Sequence, residues 1–107
     1  MESLFLMDSI DKVFQRYAEI LEKQDRMDSF TWYKDGENIF ATLRRPLVGE
    51  DPVWHFFVPP QKANELVLEF SREGVGIATG DDMKYVDTID DFIYEVVWDR
   101  LYGMRIR

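Results

Sequence analysis

Asp87, Asp91, Glu95 and Asp99 recur at intervals of four, the spacing that places side chains along one face of a helix. At a rise of 1.5 Å per residue such a row spans about 18 Å. It presents carboxylates at roughly phosphate-like intervals, which suits a cationic protein surface. That surface could be one that normally grips nucleic acid, the basic site of a toxic nuclease, or a basic client segment. Like charges four apart cost a helix on the order of a few tenths of a kcal/mol per pair. Asp99 also lies toward the helix C-terminus, where the macrodipole disfavours an anion. A helix selected for stability alone would carry Lys or Arg at 95 or 99. Tyr94 and Trp98 share one flank of the row and are candidate anchors for a partner, although a small domain also needs such rings to fill its interior. The plainer reading of the row is a solvated face.

Other chemistries are poorly provided for. The sequence has no Cys and one His, so a thiol nucleophile, a Cys–His pair and a His-rich metal site cannot be built. His55, between apolar neighbours, reads as a hydrogen-bonded core residue rather than a base. Gly80-Asp81-Asp82 lacks the alternating ligand spacing of a calcium loop. The glycine-rich run Gly74–Gly80 precedes no helix in this reading and has no Lys-Ser/Thr ending, so it is not a phosphate loop. Arg44-Arg45 beside an aromatic sheet is a thin basis for single-strand nucleic-acid stacking in a chain of net charge -8; ion pairing with neighbouring acids explains it as well. No catalytic residue, cofactor or metal is expected.

The charge is uneven. Residues 64–99 hold ten acids against two bases, Arg72 and Lys84, whereas three arginines follow in the last eight residues. Nucleic acid and anionic membrane both require cationic footprints, so neither is an expected direct ligand. A length of 107 residues, 46% hydrophobic, fits one compact domain over 1–107. No run approaches the roughly 20 apolar residues of a membrane span, and no signal peptide is visible. The expected setting is the cytoplasm, as a monomer or homodimer.

Several elements must position the acidic row. Ile10, Val13, Phe14, Tyr17 and Leu21 mark one face of a first helix, starting near Asp8 or as early as Ser3 and ending at the polar run 23–26. Asp35-Gly36 between aromatic runs reads as a type I′ hairpin turn. That turn pairs Lys34 with Glu37 as an ion pair, Trp32 with Ile39, and Phe30 with Ala41. The core face is then Phe30, Trp32, Ile39, Ala41 and Leu43; Tyr33, Phe40 and Trp54 are candidates for the sheet surface. Val53–Val58 reads as a third strand, largely buried on both faces. Leu66, Leu68 and Phe70 alternate as in a strand, but Ala63, Leu66, Val67 and Phe70 also match a helix over 60–73. The helix is the preferred reading because Pro60 suits its first turn and Gly74 its stop. Val75–Thr79 and Met83–Val86 read as two short strands. A last helix spans Thr88–Tyr102, opened by a Thr88/Asp91 capping box and closed by Gly103.

The expected fold is therefore α+β, about five mostly antiparallel strands packed by N- and C-terminal helices in the order α-β-β-β-α-β-β-α. That order, with the size and pI, is similar to that of the small acidic chaperones of type III secretion systems; the resemblance implies a homodimer holding an extended client segment. The residues themselves point first to a non-enzymatic inhibitor, antitoxin or immunity protein for a basic partner.

Overall fold

The computed structural model describes residues 9–24, 27–72 and 82–106, with side chains outside 71–72 and 82–89. Helix α1 spans Ile10–Lys23. Its N-cap is Ser9, whose hydroxyl accepts the Lys12 backbone N–H at 3.4 Å, satisfying one of the first-turn donors. Strands β1 (Ser29–Asp35), β2 (Asn38–Arg44) and β3 (Val53–Val58) follow, then α2 (Pro60–Arg72) and α3 (Asp82–Gly103). The strands form an antiparallel sheet in the order β1-β2-β3. The segment after α3 covers the outer edge of β3: Phe57 donates its N–H to Met104 O at 3.1 Å, and Ile106 donates to His55 O at 2.7 Å.

Alternation divides the sheet into two faces. Phe30, Ile39, Ala41, Leu43, Phe56 and Val58 are buried on one of them. There α1 brings Phe14 and Tyr17 edge-on to Phe30, with ring centroids 5.1 Å apart in each pair. α3 brings Ile93, Val97 and Leu101 into the same core, and α2 adds Leu66 and Phe70; Phe70 meets Phe92 of α3 edge-on at 5.5 Å. Large apolar side chains on three helices and one sheet face thus exclude water together, the two-layer solution for a small α+β domain.

Among the described residues there are three helices, as expected, and three of the five expected strands. The Met83–Val86 strand is instead part of α3, which starts at Asp82 rather than Thr88. Val86 and Ile89 lie at helical spacing from Ile93 and Val97, so the helical period extends backwards through the supposed cap. The Val75–Thr79 strand, the Gly74 stop and the Ser3–Asp8 start lie outside the described residues. Gly103 is the last residue of α3 and has no positive φ, so it is not a left-handed stop.

The hairpin turn is Gly36-Glu37, not Asp35-Gly36. Asp35 pairs with Asn38, Lys34 with Ile39, Trp32 with Ala41 and Phe30 with Leu43. Of the two turn residues Gly36 has positive φ (65°) and Glu37 does not, which fits a II′ turn rather than I′. The slide preserves alternation, so the core face holds the residues expected, while the Lys34–Glu37 pair is lost. Lys34 reaches Asp11 of α1 instead, at 2.6 Å. β3 is not buried on both faces: Val53 and His55 are exposed. Trp54 pairs across from Leu43 and therefore lies on the core face, not on the sheet surface.

Candidate functional site

The C-terminal helix sorts its acids. Asp91, Glu95 and Asp99 are exposed and form a ridge, since each lies four residues from the next. Asp99 keeps 77% of its side-chain exposure while touching Arg100 at 3.3 Å. Asp91 and Glu95 have no ion pair among the described residues. Asp87 continues the row along the helix, although its side chain is outside the described set. Two neighbouring acids are neutralised internally. Asp90 takes Arg16 of α1 through Nε (3.0 Å) and Nη2 (2.6 Å), and Glu69 of α2 takes Arg100 in a two-pronged bridge at 2.9 and 2.7 Å. The hydrogen bonds that Arg100 donates to the Glu69 carboxylate hold its guanidinium above its already high ordinary pKa.

One flank of the ridge is aromatic. Tyr94 and Trp98 are half-buried, and each is packed on an inner partner: Tyr94 on Tyr17 at 6.0 Å, Trp98 edge-on to Trp54 at 6.0 Å. Tyr102, 51% exposed, extends the flank and meets Trp98 at 5.8 Å. Its spacing of four from Trp98 was the signal that would have included it.

Behind this flank lies a buried polar centre. Arg45 donates through Nε to both Asp28 oxygens (3.2 and 3.1 Å), and its guanidinium lies 5.8 Å from the Trp54 ring and 5.9 Å from the Trp98 ring. Asp28 is buried, so removing Arg45 would strand a carboxylate. Arg44 is likewise held, by Asp51 at 2.9 and 2.7 Å, and its hydrogen bonds keep the Asp51 carboxyl below its ordinary pKa. Both arginines therefore serve internal ion pairs.

Tyr17, 1% exposed beside this centre, has its phenol pushed well above the ordinary tyrosine range by burial and by Tyr94. The unfolded chain ionises this group near pH 10, so above that pH it binds fewer protons than the folded chain. Stability is then complete below about pH 10 and declines as pH rises further, by at most about 1.4 kcal/mol per pH unit for this group. Tyr17→Phe is expected to remove that component, so that urea unfolding from pH 8 to 11 brings variant and wild type together at the alkaline end. A difference constant across the range would refute the assignment.

His55 is exposed rather than in the core, with Nδ1 3.3 Å from the Thr42 hydroxyl. A cleft of about 500 Å³ lies between α2 and α3, bordered by Lys62, Glu65, Glu69, Asp99 and Arg100 over Leu66. Among the described residues no three His, Asp or Glu side chains gather closely enough to hold a metal ion, and no helix is long and apolar enough to cross a membrane. What these elements define is an α+β domain whose final helix turns a ridge of carboxylates outward. Comparison with family models, with curated proteins and with solved structures gives no match.

Proposed function

We propose that this chain is a non-enzymatic binding protein that neutralises a basic protein partner, in the manner of an immunity protein, antitoxin or phage-encoded inhibitor. The supporting observation is the exposure of Asp91 and Glu95 without an internal cation among the described residues, on a helix where Asp90 and Asp99 are met by Arg16 and Arg100. Arginines lie within reach of this helix, yet the centre of the ridge is left to solvent. Carboxylates so placed attract a cationic surface from a distance, and the aromatic flank of Tyr94, Trp98 and Tyr102 offers apolar area once contact is made. Asp87, at the far end of the row, extends the same contact. The partner carries basic residues on a protein surface; nucleic acid and membrane are not direct ligands in this reading.

The test is affinity capture of the partner from the native host at low salt, followed by association rates across ionic strength. The Debye length shrinks from about 10 Å at 0.1 M to about 3 Å at 1 M, so the on-rate is expected to fall at least tenfold over that range. A salt-independent on-rate would sink the proposal. The row of Tyr33, Phe40 and Phe57 across the outer sheet face, half-buried at the phenylalanines and 63% exposed at Tyr33, favours a second reading, a small acidic chaperone holding a client segment. That reading predicts a homodimer, and sedimentation of a strict monomer removes it.

A further inference from the structure

We infer that the outer sheet face, remote from the acidic ridge, is a second recognition surface, which takes an extended, arginine-bearing protein segment. Tyr33, Phe40 and Phe57 occupy one cross-strand row. Their rings are in contact, Tyr33 with Phe40 at 5.4 Å and Phe40 with Phe57 at 5.2 Å. Two residues along β1, on the same face and so about 7 Å away, lies Asp35, exposed and without an ion pair among the described residues. An aromatic row beside a carboxylate is the arrangement that binds a guanidinium: the ring faces carry negative quadrupole and the carboxylate completes the charge.

Charge decides between possible occupants. A nucleic-acid strand would stack on the same rings but needs cations for its phosphates. The strands supply two, and both are engaged, Lys34 by Asp11 and Arg44 by Asp51. A second copy would bring another net -8 to the same face, so like charge opposes self-association there. An arginine-bearing segment meets no such opposition and gains from the net charge of the chain. This inference shares the basic partner of the inhibitor reading above but uses different residues, so each can fail alone; it uses the sheet face of the chaperone reading but requires no homodimer.

The experiment is a titration of the full chain with a blocked pentapeptide of alternating glycine and arginine, following the ring signals of Tyr33, Phe40 and Phe57 by NMR. The comparison probes are the same peptide with glutamine for arginine, and a ten-nucleotide oligothymidine. The arginine peptide is expected to shift all three rings, and Tyr33→Ala and Asp35→Asn each to weaken it roughly two- to fivefold, the size of an exposed cation–π contact. Asp91→Asn with Glu95→Gln is expected to leave this binding unchanged. Equal shifts from the glutamine peptide, ring shifts from oligothymidine, or shifts that track protein concentration alone would each overturn the inference. So would ring signals that none of the probes moves.

Discussion

Phe14→Ala is expected to lower the unfolding free energy by about 4 kcal/mol. Phe14 is inaccessible to solvent and sits where α1 meets β1, its ring edge-on to Phe30 at 5.1 Å and to Trp32 at 5.8 Å. Truncation leaves a void whose walls cannot close easily. Phe30 is held from another side by Tyr17, and the Trp32 indole is fixed by its Nε1 donating to Asp11 at 3.1 Å. Transfer and cavity costs therefore add. Against a total stability of roughly 5–15 kcal/mol for a domain of this size, the loss brings the chain near unfolding at physiological temperature. The measurement is urea denaturation, with the midpoint falling and the slope unchanged. Tyr33→Ala, on the exposed face, is the reference and is expected to change stability by less than about 1 kcal/mol. If the two variants are equally stable, the packing of α1 on the sheet is not the one described.

Much of the interior was legible because burial imposes a period. Ile10, Val13, Phe14, Tyr17 and Leu21 repeat at helical spacing and all face inward; Ala63, Leu66 and Phe70 do the same on α2. The sheet core survived an error of register because sliding the hairpin preserved parity. Asp-Gly and Gly-Glu both satisfy a two-residue turn around Gly36, and only the longer pairing of Asp35 with Asn38 separates them. The segment 83–86 is ambiguous for a different reason: four residues can satisfy a strand or a helix, and Thr88 resembles a cap although threonine is tolerated within helices. His55 illustrates the limit of local context. Apolar neighbours on a strand point to both faces, so they do not report which face the histidine occupies. In the acidic region, spacing could place Asp91, Glu95 and Asp99 on one side of a helix, but which acids meet arginines depended on long-range contacts. Arg16 and Asp90 are 74 residues apart, and no local pattern announces such a pair.

Reversing the ridge with Asp91→Lys and Glu95→Lys together is expected to slow association with the captured partner at least tenfold near 0.1 M salt, with a much smaller change in the dissociation rate. Folding is expected to be spared. Each new lysine lies four residues from an acid, Asp87 or Asp99, so attractive pairs offset the repulsion between the two lysines. The side chains removed are exposed and carry no ion pair among the described residues, so no buried partner is orphaned. The same four-unit change in net charge placed elsewhere, as Glu22→Lys with Glu50→Lys on exposed positions of α1 and the β2–β3 loop, separates a local contact from a diffuse field. If charge steers only through its total, both double variants slow association alike. If α3 meets the partner, its variant loses far more, and the gap closes toward 1 M salt as screening contracts to about 3 Å. Equal losses in the two double variants would remove the ridge as the contact and leave only the overall charge of the chain to explain association.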